Sequence, residues 1–245
     1  MLLDRFLCRG MKPPLLMFDF DGVICNSLDA VLPEVEMIFS EAGFNRFKTR
    51  EELIALLDGN VFLKLAAAGF PMGKLKRLSR SLKPHLEKVY WRINPFPGIV
   101  EVVNNLSEAV PVYIITGNRV ATVTEFCSRH GIKGIRDIIG SDVECSKAKS
   151  IRRISKLHRD RSPYYIGGTL GDMREAQKAR VKRIGAAWGW HGRERLSMGN
   201  PEYIVETPEV LMELFRRLLL QAREGKKSKL WIGRMVEKLR LVWRA

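Results

Sequence analysis

Two carboxylates stand where an apolar run ends, in Leu15-Leu16-Met17-Phe18-Asp19-Phe20-Asp21-Gly22-Val23. Side chains two apart on an extended chain point the same way, so Asp19 and Asp21 share a face while Phe20 turns to the opposite one. Gly22 then lets the chain turn sharply. Like charges this close shift each other's pKa, and neither can be buried without a partner, so a cation or a shared proton is the expected compensation. A divalent metal would supply it.

Further features sit at the ends of later apolar runs. Tyr113-Ile114-Ile115-Thr116-Gly117-Asn118 places a hydroxyl at a strand end, followed by a glycine and backbone amides that can hold a phosphate. Asp142-Val143-Glu144-Cys145-Ser146-Lys147 brings a lysine after another strand, with Lys149 competing for the same role two residues on. Tyr164-Tyr165-Ile166-Gly167-Gly168-Thr169-Leu170-Gly171-Asp172 ends in a glycine-rich loop with an acid, which taken alone could equally cap the helix that follows. Trp188-Gly189-Trp190-His191 reads as a packed loop with a satisfied histidine rather than an aromatic substrate pocket. His85, His130 and His158 are isolated, and Arg77, Arg80, Lys83 and Lys88 read as a solvated helix face.

The elements that must position these residues follow from the hydropathy pattern. Strand-like runs recur at Leu15 to Phe18, Val112 to Ile115, Asp137 to Gly140, Tyr164 to Ile166, Ile184 to Ala187 and Tyr203 to Val205, with helical patterns between them. That alternation predicts an α/β fold, a Rossmann-like parallel sheet with helices on both faces. Ligands in such sheets bind beyond the carboxyl ends of the strands, where Asp19 and Asp21 fall. Residues 27–95 break the alternation with helical patterns at Ala30 to Ala42, Arg50 to Leu57, Val61 to Ala68 and Lys74 to Trp91 and no convincing strand, so an inserted all-α cap domain is expected there. The core then comprises residues 15–26 and 96–222, preceded by an N-terminal extension over 1–14. A last core helix is expected to start near Thr207-Pro208 and to fade near Gly225. Residues 223–245 form a basic amphipathic segment in which Trp231, Ile232, Met235, Val236, Leu239, Val242 and Trp243 share one side. Residues 230–243 thus suit a membrane surface, a partner groove or self-association.

Composition narrows the function classes. A chain of 245 residues with 46% hydrophobic content can bury a substantial core, and its formal charge of +15 favours anionic partners. The basic residues are dispersed and no recognised nucleic-acid-binding motif is present, which argues against nucleic acid. The four cysteines lie far apart without a Cys-x-x-Cys pair, which argues against a zinc site or a disulfide framework. With no apolar run of membrane length and no convincing signal peptide, cytoplasmic residence is the default expectation, with peripheral membrane attachment through the C-terminal segment as its variant.

The Asp-x-Asp-Gly run, the Thr strand end, the lysine and the Gly-rich acidic loop, in this order, resemble the haloacid dehalogenase superfamily, specifically its phosphoglycolate-phosphatase-like branch. The resemblance spans roughly residues 15–215. It implies a Rossmann-like core with a helical cap inserted after the first motif. The activity it implies is magnesium-dependent hydrolysis of a small phosphorylated metabolite, a phosphoglycolate-like or sugar phosphate monoester, through an aspartyl-phosphate. Carried over, Asp19 is the nucleophile and Asp21 the acid and base. Thr116, Gly117 and Lys147 hold the phosphoryl oxygens, and Mg2+ lies at the Asp19 carboxylate, the Asp21 main-chain carbonyl and Asp172. The chain departs from the family's fourth motif, which usually reads Gly-Asp-Thr-x-x-Asp, because Gly168 stands at the first acid. Asp172 survives, with Asp142 or Glu144 as candidate helpers, and reduced activity or unusual metal dependence is expected. The alternative is a catalytically degenerate phosphate-binding or scaffolding protein on the same fold.

Overall fold

The computed structural model of the chain describes residues 12–44, 46–47, 49–58, 61–71, 73–74 and 88–224. Six strands are formed: β1 (Pro14–Phe18), β2 (Val112–Ile115), β3 (Ile135–Ile139), β4 (Ser162–Gly167), β5 (Lys182–Ala186) and β6 (Tyr203–Val205). All pair in parallel, in the order β3-β2-β1-β4-β5-β6. Chain order runs outward from β1 in both directions, so the crevice at the carboxyl end of β1, between β2 and β4, is where such a sheet binds ligands. Every residue of β1 is buried, as expected of a central parallel strand. The edge strand β3 instead exposes Arg136 and Asp137.

The period-2 alternation of β1 separates two cores. Leu16 and Phe18 join a large cluster with Ile114, Ile166 and Ile184, covered by α4 (Ile99–Ala109) through Val102, Val103 and Leu106 and by the helix of residues 208–224 through Leu211 and Phe215. Leu15 and Met17 point the other way, into a cluster with Ile115 and Tyr165. That face is covered by α6 (Lys147–Leu157) through Ile151 and Ile154 and by α7 (Leu170–Ala179) through Ala176. Each such buried aliphatic side chain contributes about 1.5–3 kcal/mol. The alternation continues past the strand: Phe20 remains in the first cluster, whereas Asp19 follows Leu15 and Met17 toward α6 and α7, the helices that carry Lys147 and Asp172.

Between β1 and β2 the described residues form helices α1 (Leu28–Glu41), α2 (Arg50–Leu57) and α3 (Val61–Ala67) before the chain returns through residues 88–98 to α4. Thr49 starts α2 with a reciprocal capping box to Glu52. The first apolar cluster runs on through Ile24 into Val31, Leu32, Ile38, Leu53, Leu56 and Leu65 of these helices. Most of the pattern over Lys74 to Trp91, together with His85, Arg77, Arg80 and Lys83, lies outside the described residues, as do residues 1–11 and the segment 230–243. No helix among the described residues is long and apolar enough to cross a membrane. Cys25, Cys127 and Cys145 are free thiols.

Candidate active site

Three of the expected residues meet in one ion cluster. Lys147, the first residue of α6 after the Ser146 cap, places its Nζ 2.9 Å from Asp19 Oδ1 and 2.9 Å from Asp172 Oδ1. Asp19 is 4% exposed and Asp172 2%, so the two carboxylates share one cation in a desolvated corner. Burial works to raise the Asp172 pKa, but the Lys147 charge and hydrogen bond, with the Thr169 hydrogen bond, outweigh it and hold the carboxyl below the usual range. Asp19 takes the opposite shift, well above the ordinary carboxylate range, through burial and then the charge of Asp172, with Lys147 opposing. The asymmetry has a simple source. Asp172 accepts hydrogen bonds from Lys147 Nζ at 2.9 Å, Thr169 N–H at 3.1 Å and the Thr169 hydroxyl at 2.8 Å, so it keeps the charge. Burial also works against the Lys147 charge, but Asp172 and Asp19 overcome it and push its pKa well up. Lys149 is exposed, which distinguishes the two lysines left open by the sequence.

Asp21 is held separately, in a closed triangle. The Tyr90 hydroxyl donates to Asp21 Oδ1 at 2.7 Å, and Asn118 Nδ2 donates to Asp21 Oδ2 at 2.5 Å and to the Tyr90 oxygen at 2.9 Å. Burial raises the Asp21 pKa, while the nearby Ser27 hydroxyl, the Tyr90 hydrogen bond and the Lys147 charge pull it back. Thr116 is 3% exposed at the end of β2, and its Oγ1 accepts from the Asn118 N–H at 3.0 Å. Gly117 lies exposed between them, with no atom near where a side chain would begin. Thr116, Gly117 and Asn118 therefore form one short turn beside Asp21.

Position 168 is packed, not merely missing an acid. A Cβ there would stand 2.6 Å from the Gly22 carbonyl oxygen, and one at Gly189 would stand 2.4 Å from the same oxygen. Three loop backbones meet where a side chain at 168 would start. Gly22 itself adopts φ +71 over the Trp190 ring, and the Trp188 indole N–H donates to the Val23 carbonyl at 3.1 Å. The aromatic loop after β5 thus packs against the first motif, as expected, but its histidine is satisfied only in part, since His191 Nε2 is buried without a hydrogen-bond partner. His191 Nδ1 accepts from Leu170 N–H at 2.9 Å, which caps the first turn of α7.

The magnesium expectation can be tested on these donors. Among the described residues no group of three or more His, Cys, Asp or Glu is arranged to hold a metal. Both Asp172 oxygens are committed, to Lys147 and to Thr169, and position 168 offers neither ligand nor room. Asp142 Oδ1 accepts from the Val120 N–H at the start of α5 (Val120–Arg129), and Glu144 accepts from the Ser146 N–H. Neither helper is turned to the site, because each satisfies a backbone donor that would otherwise be orphaned. The residues present do not fit a magnesium site of the expected composition.

Three contributors were not singled out from sequence. Asn118 follows the Thr116-Gly117 pair, where an amide side chain carries no signal of its own. Tyr90, 69 residues from Asp21, carries no local signal at all. Asp58, 6% exposed at the end of α2, accepts from the Gly171 N–H at 2.6 Å and so ties the inserted helices to the first turn of α7.

Comparison with known proteins agrees with this fold. The profile of the haloacid dehalogenase-like hydrolases matches residues 16–186. The chain is 20% identical over 210 residues to the phosphoglycolate phosphatase of Synechococcus elongatus, covering 84% of this chain and 99% of that one. It is 22% identical over 212 residues to the pyrophosphatase PpaX of Listeria monocytogenes, covering 82% and 95%. Among solved structures it superposes on a haloacid dehalogenase-like hydrolase from Streptococcus pneumoniae with a TM-score of 0.71 at 20% identity, over 84% of this chain and 99% of that one. A hydrolase from Pseudomonas syringae gives a TM-score of 0.70 at 17% identity, over 83% and 98%.

Proposed function

We propose, from the premise that this chain belongs to the haloacid dehalogenase-like hydrolase family, that it hydrolyses small phosphate monoesters through an aspartyl-phosphate on Asp19. The observation that carries the reading is the Asp19 carboxylate held at 2.9 Å by Lys147, with Asp21 two residues on in a hydrogen-bonded cradle of its own. In this reading an Asp19 oxygen attacks phosphorus in line with the leaving group. Lys147, the Thr116 hydroxyl and the Gly117 amide hold the equatorial oxygens, whose charge must be stabilised as the leaving bond breaks, since the Thr116 N–H is bonded to the Ile139 carbonyl and the Asn118 N–H to Thr116 Oγ1. Asp21 gives its proton to the departing oxygen and then takes one from the water that attacks the acyl phosphate. Its upward-shifted pKa suits the first of these tasks. The inserted helices, tied down by Asp58 and Tyr90, act as the cap that selects the leaving group.

Magnesium, when bound to enzymes of this kind, neutralises phosphoryl charge. Here a divalent cation would meet the Asp19 carboxylate and the Asp21 main-chain carbonyl without a free Asp172, so weak binding is expected and no step above depends on it. The names of the similar curated proteins put 2-phosphoglycolate and pyrophosphate first in a substrate panel, with sugar phosphates and p-nitrophenyl phosphate beside them. Phosphate release from at least one panel member, lost in Asp19→Asn, is the expected result. An Asp19→Asn protein that keeps the parent's rate would overturn the reading.

A further inference from the structure

The return of the inserted helices delivers one side chain into the catalytic cradle. Tyr90 is 6% exposed, its ring centroid lies 6.0 Å from that of Phe20, and its hydroxyl meets both Asp21 and Asn118. The chain from Tyr90 onward is clamped from the core. Arg129, at the end of α5, donates to the Tyr90 carbonyl at 2.8 Å and to the Trp91 carbonyl at 2.8 Å, and its guanidinium lies 5.0 Å over the Trp91 ring. The next residues stay attached as well: the Asn94 carbonyl accepts from the Asn26 N–H at 3.1 Å, and Phe96 N–H donates to the Ile24 carbonyl at 3.0 Å. A buried phenol on a backbone fixed at its own carbonyl and at the residues that follow is a rigid donor.

We infer that Tyr90 is a positioning residue for Asp21, fixing the carboxyl group so that its proton is aimed at the leaving oxygen and making general-acid catalysis depend on the seating of the 88–98 return. The geometry explains why two donors are needed. A carboxyl group turns freely about its terminal bond, and a donor on one oxygen alone leaves that rotation open. Tyr90 on Oδ1 and Asn118 on Oδ2 close it, and the Asn118–Tyr90 hydrogen bond fixes the two donors relative to one another. Asn118 belongs to the core turn after β2 and Tyr90 to the return from the inserted helices, so the cradle is complete only when those two parts of the chain are in register. Asp21 does not form its own pocket.

The inference rests on the phosphatase reading, and leaving-group dependence separates the two. Protonation matters for an alkoxide leaving group and little for p-nitrophenolate, and kcat/KM reports the steps up to departure of the leaving group. Tyr90→Phe keeps the ring and removes the hydroxyl. Its expected effect is a fall in kcat/KM for 2-phosphoglycolate on the order of tenfold, the worth of one charge-assisted hydrogen bond. For p-nitrophenyl phosphate kcat/KM stays near the parent value, which also shows that the variant is folded. Asp21→Asn should lose more than Tyr90→Phe on 2-phosphoglycolate. Equal losses on both substrates, or no loss on either, would overturn the assignment. The slowly exchanging hydroxyl proton of Tyr90, sought by NMR in the parent and absent from Tyr90→Phe, tests the contact without turnover. A parent that shows this proton yet turns over no ester sinks the phosphatase reading, whereas a parent that turns over ester with no such proton sinks the role of Tyr90.

Discussion

Replacing Lys147 by methionine keeps much of the side chain's length and removes the cation that Asp19 and Asp172 share at 2.9 Å each. Stranding a buried charge by deleting its partner costs about 3–5 kcal/mol. Lys147 keeps 24% of its side-chain exposure while the carboxylates keep 6% and 2%, so solvent screens the cluster in part and the lower half of that range applies, about 3–4 kcal/mol. For a chain of this size that corresponds to a fall in melting temperature of about 6–16 °C. The sign of the pH dependence follows from the shifts. The lowered Asp172 pKa contributes stability above its unfolded value that is lost as pH falls through the folded one. The raised Lys147 pKa contributes stability below its unfolded value that is lost as pH rises through the folded one. The gap between parent and variant should therefore be widest between the ordinary carboxylate and lysine values, ~4 and ~10, and should close as acid protonates the stranded pair. Urea unfolding of both proteins at several pH values measures it, and Lys147→Met combined with Asp172→Asn should recover part of the loss. A Lys147→Met protein as stable as the parent near neutrality, or a loss that does not narrow in acid, would refute the shared-cation account.

Other consequences concern the neighbours of that cluster. Gly168→Ala should destabilise by about 1–3 kcal/mol in denaturant unfolding, because the added Cβ meets a backbone carbonyl and not a side chain that can swing away. A neutral substitution would show that the three-glycine contact is loose. Magnesium alone should give no saturable rise in melting temperature, since a ligand raises it only in proportion to its binding; a clear saturable rise would show that the donors rearrange into a site. The acid limb of the pH–rate profile should lie above the ordinary carboxylate value, because Asp19 must be ionised to attack and its pKa is raised. A limb at or below ~3.9 would contradict that. The same shift means that Asp19 adds stability below its unfolded pKa that is lost as pH rises through the folded one.

How much of this was legible in the sequence depends on the range of the forces involved. The strands were readable because a central parallel strand is apolar on both faces, and Leu15 to Phe18 contains nothing else. The face of Asp19 was readable too, since strand alternation is a local rule that carries past Phe18. Lys147 could not be separated from Lys149 by composition: the distinction depends on the Ser146 cap, which fixes where α6 begins and so which lysine faces β1. Asp172 fills neither of the roles its type suggests, N-cap or open metal ligand: Thr169 is the cap, Asp172 closes the capping box from the third helical position with one oxygen, and Lys147 takes the other. The sequence shows position 168 as a missing ligand, and its packing against Gly22 and Gly189 is invisible there because no pattern in one strand's loop reports on the approach of another. Tyr90 and Asp58 act across 69 and 113 residues, where only the fold brings a donor to an acceptor.

The central claim is covalent chemistry at Asp19, and trapping tests it most directly. The parent protein, mixed with an ester it hydrolyses and quenched in acid within a turnover, should yield a phosphoryl adduct on the peptide containing Asp19 by mass spectrometry, absent from Asp19→Asn. Turnover with no adduct at any quench time, and with Asp19→Asn retaining the parent's rate, would contradict the account.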